Sequence, residues 1–158
     1  MGVQCAASAR GMALALLLTT GCGMGHSEHA AQPIKAEVVA KASDGNGTSV
    51  RVVQSQQAER FVAVETVTLE AAGYVAVYTD GNGAPGVEAG ASKLLPAGSS
   101  RSVRIKVSRD LGPRAWVLIH REDNGNDSFD FPTADQPIQT PTGVLATQID
   151  LKTSNAGK

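Results

Sequence analysis

The sequence predicts an all-β chain folded as an antiparallel sandwich of about seven strands, and three observations carry that expectation. Apolar and polar residues alternate with period two over several stretches, most cleanly in "RSVRIKVSR" at 101–109. Clusters of Gly, Pro, Asn and Asp separate those stretches, and beyond the N-terminal leader no segment sustains the spacing of an amphipathic helix. The composition agrees: 17 glycines and a valine-rich apolar fraction of 42%, with aromatics at 4%, favour short strands and tight turns over helix packing.

The first element is the leader. Arg10 precedes an apolar run from Met12 to Leu18 and then small residues, the layout of a secretory signal over residues 1–21. That run is shorter than the roughly 20 residues that span a bilayer, so it reads as an export signal and not as a membrane helix. Thr19-Thr20-Gly21-Cys22 resembles a bacterial lipobox, although Thr stands three places before the cysteine where Leu is usual. The resemblance implies a diacylglyceryl-modified Cys22, whose acyl chains would hold the protein at a membrane with about 0.8 kcal/mol per buried methylene. Residues 22–47 are mostly small or polar and read as a flexible tether. His26 and His29 in it form an H-x-x-H pair, read as a solvated tail and not as a metal site. Cys5, the other cysteine, also lies in the leader.

The body is assigned to residues 48–152, followed by a disordered tail at 153–158. "SVRVVQSQ" at 49–56 and "RFVAVETVTL" at 60–69 read as adjacent strands. "GYVAVYTD" at 73–80 is apolar on both faces, with Tyr74, Ala76 and Tyr78 on one and Val75 and Val77 on the other, so it belongs at the centre of a sheet. Residues 79–100 read as one long connection of small residues, opened by the turn Asp80-Gly81-Asn82-Gly83 and pinned by Leu94 and Leu95. Along 101–109 Val103, Ile105 and Val107 point inward while Arg104 and Lys106 face water. "RAWVLIH" at 114–120 is expected to be buried on both sides, with Trp116 the largest core residue. A strand from Gly143 to Leu151 completes the set. This pattern fits an immunoglobulin-like β-sandwich better than any other class, with a small barrel as the alternative.

The order of features across 49–151 resembles a prokaryotic family, domain of unknown function 7282, found in exported and surface-anchored proteins. The residues that carry the resemblance are "VTL" at 67–69, the Gly-aromatic-V-x-V strand from Gly73, and a G-x-S-x-x-L-x-x-G stretch at Gly90, Ser92, Leu95 and Gly98. A V-x-V strand and a His-containing strand that enters "FDFP" at 129–132 complete it. It implies an extracytoplasmic β-sandwich and assigns no catalytic residue.

Composition excludes several chemistries. The net charge is -1 and the cations are spread along the chain, which leaves no footprint for nucleic acid. Residues 49–151 contain one histidine and no cysteine, so a blue-copper centre and any thiol nucleophile are ruled out in the body. No G-x-S-x-G elbow accompanies His120, which reads as a structural residue at a strand end; an envelope hydrolase built on it is the weakest of the functional readings. Asn46-Gly47-Thr48 and Asn126-Asp127-Ser128 match the glycosylation pattern, incidentally in the context of a bacterial lipobox.

"HREDNGNDSFDFP" at 120–132 is the remaining candidate site. Counted from Glu122, the oxygens of Glu122, Asn124 and Asn126 alternate as in a calcium loop, with Phe129 in the hydrophobic position and Asp130 ninth. Asp127 stands where such loops carry Gly, and Thr133 where they carry a bidentate Glu; Asp123, Asp127 and Asp135 are further carboxylates for another geometry. The competing reading is a polar connection whose Asn and Asp side chains bond their own backbone while Phe129 and Phe131 fold back onto the core. The function expected is that of a non-enzymatic envelope lipoprotein anchored by Cys22, a structural or binding module for an envelope protein or polysaccharide. A calcium-stabilised adhesion or scaffold domain using the 122–135 loop is the alternative.

Overall fold

Val50 and Val52, Val62 and Val64, and then Val67 and Leu69 each form an alternating apolar row that requires a surface to hide against, and a second sheet supplies it. The computed structural model describes residues 39–57 and 60–152. The stretch read as a signal peptide (1–21), Cys22, His26, His29 and the stretch 153–158 read as a disordered tail lie outside the described residues. Eleven strand segments follow one another: β1 (Val39–Ser43), β2 (Ser49–Val53), β3 (Ser55–Gln57), β4 (Phe61–Leu69), β5 (Gly73–Asp80), β6 (Pro85–Ala91), β7 (Gly98–Lys106), β8 (Arg114–Arg121), β9 (Gln139–Thr140), β10 (Gly143–Val144) and β11 (Ala146–Lys152). Nine of them form two sheets, in the orders β1-β2-β4-β7 and β3-β11-β8-β5-β6, while β9 and β10 make a separate small ribbon.

The core lies between the sheets. From the first come Val50, Val52, Val62, Val64, Val67, Leu69 and Ile105; from the second, Val75, Val77, Val117, Ile119, Ile149 and Leu151. Removing each such side chain from water contributes about 1.5–3 kcal/mol, and β-branched residues suit the pleat, so the valine-rich composition serves both the strands and their packing. As predicted, 73–80 is central, flanked by β6 and β8, and β7 buries Ile105 while exposing Arg104 and Lys106, with Val107 buried just beyond its end.

Several expectations need correction. The number of strands is larger than about seven, partly because 49–56 is not one strand. β2 stays in the first sheet, and β3 crosses to the second, where it runs parallel to β11, the one parallel pair in the molecule's described ladders. The Gln56 side chain stabilises the crossing by bonding the Ala63 backbone in both directions, at 2.8 Å each. A strand, β1, occupies 39–43 inside the stretch read as tether, paired along β2 from Val39↔Val53 to Ser43↔Ser49. The 79–100 connection is not one long loop, because β6 pairs with β5 across the Asp80-Gly81-Asn82-Gly83 turn and β7 begins at Gly98. Its small residues concealed a strand, since side chains that bury little apolar area produce no visible alternation. The final strand is interrupted at Leu145, which turns into the core.

Trp116 is also placed differently. It is half-buried on the outer face of the second sheet, where its indole nitrogen donates to Asp80 Oδ1 at 2.9 Å. The largest fully buried side chain is Tyr74. The outer face of β5 and β8 is buried not by a third sheet but by the chain after β8, which folds back so that Phe129 and Phe131 pack with Ala76, Tyr78 and Leu118.

Candidate functional site: the acidic loop and the buried histidine beneath it

The register of β5 against β8 sets Tyr74 opposite His120 and Tyr78 opposite Trp116 on that outer face. Register of this kind explains Gly73, whose position opposite Arg121 leaves no room for a side chain: a Cβ would lie 2.3 Å from the His120 carbonyl oxygen. His120 is completely buried. Its Nδ1 lies 2.6 Å from the Asp135 carbonyl oxygen and its Nε2 3.0 Å from the Tyr78 hydroxyl. A carbonyl can only accept, so Nδ1 carries the proton and donates, and in the neutral ring Nε2 accepts from Tyr78. Burial holds the imidazole pKa below its ordinary 6.5 against the opposing pull of the Asp135 carbonyl and carboxylate. Burial likewise pushes the Tyr78 phenol up, with help from Glu88, so it stays a donor. The Phe129 and Phe131 rings stand edge-on to the imidazole, at centroid distances of 5.0 and 5.1 Å.

Above this box the carboxylates organise backbone. Asp135, fully buried, accepts from the Asp123 amide at 3.1 Å and from the Asp130 amide at 2.7 Å, and so ties both ends of the loop to one side chain. Glu122 accepts from the Tyr74 hydroxyl with one oxygen and from the Asn124 and Gly125 amides, at 3.0 and 2.7 Å, with the other. The Tyr74 hydroxyl first, then those backbone amides, hold the Glu122 carboxyl below the usual carboxylate range. Tyr74 responds in the opposite sense, raised by burial and then by Glu122. Asp130 takes the side-chain amides of Asn126 and Asn124, which lower its pKa in that order. Asn124 and Asn126 also accept from the amides two residues on, Asn126 and Ser128. Asp127 is exposed and does adopt the left-handed conformation, at φ 59°, next but one to Gly125 at φ 72°.

The five residues singled out as ligands, Glu122, Asn124, Asn126, Asp127 and Asp130, therefore do share one loop, but Glu122, Asn124, Asn126 and Asp130 turn oxygens onto the loop's own donors. Among the described residues no group of three His, Cys, Asp or Glu side chains is placed to hold a metal ion. Asp135 is the residue whose role sequence reasoning missed. It lies 15 positions from His120, and nothing local marks it as the anchor of a loop that starts 13 residues earlier. Phe129 and Phe131 fold back as the turn reading expected. Chemically, the arrangement holds protons in fixed places: Nδ1 of His120 is engaged by the Asp135 carbonyl and Nε2 by the Tyr78 hydroxyl.

The motif glycines and serine are explained in the same terms. Gly90 passes so close to β7 that a Cβ would lie 2.1 Å from the Lys106 carbonyl oxygen. The Ser92 hydroxyl accepts from the Val75 amide at 3.1 Å, Leu95 exchanges backbone bonds with Gly73 at 2.9 and 3.0 Å, and Gly98 takes φ 97°.

A cleft of about 230 Å³ lies at the same end of the molecule, lined by Asp44, Thr48, Glu70, Arg121 and Ile138 among others. Its size admits only a small ligand.

The chain is 27% identical over 106 residues to cell surface glycoprotein 1 of Haloarcula hispanica, a match that covers 66% of this chain and 11% of that protein. The chain thus corresponds to a small part of a much longer relative. No solved structure matches it. The model of the family described as Domain of unknown function (DUF7282) matches residues 48–151, the span of the two sheets from the last residue before β2, and the chain belongs to that family.

Proposed function

We propose that the protein is a non-enzymatic module of the cell envelope, exported and held at a membrane by lipid on Cys22, whose sandwich serves as a structural or binding unit. The observation that carries this reading is the occupation of the polar groups around His120. The His120 imidazole and the Tyr74 phenol tie the loop to the sheet, while the Asp130 and Asp135 carboxylates hold the loop's own amides, which is the work of a scaffold. A relative named as a cell surface glycoprotein supports the location, and the lipobox-like Thr19-Thr20-Gly21-Cys22 supports the anchor.

Mass spectrometry of the mature protein from cell membranes tests the anchor. The expected product begins at Cys22 and carries acyl chains, and a Cys22→Ala variant is released from the membrane. A mature terminus elsewhere, without lipid, would overturn anchoring. The non-enzymatic part is tested separately by screening the purified protein for hydrolysis of ester and glycoside substrates: turnover abolished by His120→Gln in a variant that still folds would contradict it.

A further inference from the structure

The outer face of the first sheet is strongly cationic although the chain as a whole is not. Lys41 on β1 pairs directly with Arg51 on β2, Arg51 with Thr66 on β4, and Thr66 with Arg101 on β7, so all four side chains share the face opposite the valine core. Two further rows add Arg104 opposite Ala63 and Lys106 opposite Phe61. All five cations are exposed. Glu65, also exposed, pairs with Arg51 at 3.5 Å, the one ion pair on this face among the described residues. With strands about 4.8 Å apart, the row from Lys41 to Arg101 spans roughly 14 Å, a flat field of positive charge and not a groove. Phe61 is 38% exposed on the same face, with the Arg104 guanidinium 4.4 Å above its ring.

We infer that this face docks the domain onto a membrane surface rich in anionic, phosphate-bearing headgroups. Charge complementarity is the first argument: five cations on long side chains, dispersed over β1, β2 and β7, suit a laterally mobile array of anions better than the fixed spacing of one oligosaccharide. Attachment is the second, and it rests on the anchored reading above. β1, the edge strand of this very sheet, is where the described chain begins, and 16 residues separate Cys22 from Val39. At no more than about 3.6 Å each, they keep the sheet within about 58 Å of the anchor point. Near an anionic surface each cation raises affinity about fivefold, so even weak docking becomes populated once the domain is confined there. Phe61 would enter the headgroup layer as an apolar contact beside Arg104.

The test uses the full chain as Cys22→Ala, so that no acyl group contributes, in sedimentation with vesicles of phosphatidylcholine alone or mixed with phosphatidylglycerol. Binding is expected to the anionic vesicles, to fall steeply as salt is raised, and to weaken more than tenfold in K41Q/R101Q/R104Q/K106Q. A control with the same change in net charge, K93Q/R114Q/R121Q/K152Q, is expected to bind within about twofold of its parent. Equal binding to both vesicle types, equal loss in both variants, or capture by a soluble anionic polysaccharide at lower concentration than by vesicles would each overturn the proposal. Because Cys22 is absent throughout, these outcomes are independent of whether the natural terminus is lipidated.

Discussion

At the scale of single residues, His120 decides how the second face of the β5–β8 pair can be buried. An imidazole fixed between the Asp135 carbonyl and the Tyr78 hydroxyl satisfies two polar groups that phenylalanine would leave unpaired, at a cost of about 1–3 kcal/mol for each. Its depressed pKa has a consequence for stability. The unfolded chain binds a proton near pH 6.5 and the native state does not, so stability is complete above that value and declines as the pH falls below it. Stability is therefore expected to be lower at about pH 5.5 than at about pH 7.5, and His120→Gln, which keeps a donor and an acceptor without a titrating ring, is expected to flatten that difference. Chemical denaturation at the two pH values measures this; an unchanged slope in the variant would show that His120 is not the group responsible. Gly73 is the second decisive residue. Gly73→Ala places a methyl group 2.3 Å from a backbone oxygen in a central ladder, where neither strand can give, and is expected to lower stability by about 3 kcal/mol. A denaturation midpoint within error of the wild type would contradict the packing described.

At the scale of elements, the strands with period-two alternation were readable and those without it were not. β4, β5, β7 and β8 advertise themselves through valine, isoleucine and aromatic residues at alternate or continuous positions. β6, "PGVEAGA", does not, because glycine and alanine give a strand no amphipathic signature, and it exists through its ladder with β5 and the contact of Gly90 with β7. β3 is three polar residues whose parallel pairing with β11 is set by distant sequence. The acidic loop was half legible: turn residues and the inward Phe129 and Phe131 follow from local chemistry, whereas the anchor at Asp135 depends on where the chain returns. That anchor makes a distinct forecast. Asp135→Ala strips the Asp123 and Asp130 amides of their acceptor and is expected to cost about 2–4 kcal/mol, while Asp127→Ala, with an exposed carboxylate that accepts no described bond, is expected to cost at most about 1 kcal/mol through its left-handed backbone. The same geometry predicts that millimolar calcium leaves the melting temperature within a degree or so of its value in chelator, since Glu122, Asn124, Asn126 and Asp130 already turn oxygens onto donors and only the Asp127 carboxylate accepts no described bond. A rise of several degrees reversed by chelator would establish the calcium-stabilised alternative.

At the scale of the molecule, the two sheets and the returning loop make three layers: a cationic outer face, a valine core, and an acidic loop over an aromatic box. The sandwich alone would leave Tyr78, Leu118 and His120 facing water, so the loop completes the second sheet and does not decorate it. This is the central claim, and it ties the loop's opening to the unfolding of the sheet beneath. Amide hydrogen exchange reads that linkage directly. The amides of Asp123 and Asp130, bonded to the buried Asp135 carboxylate, are predicted to exchange at the same free energy of opening as those of Val75 and Ile119 in the central strands. Exchange of the two loop amides several orders of magnitude faster, with β5 and β8 still protected, would contradict it and reduce the loop to a surface connection.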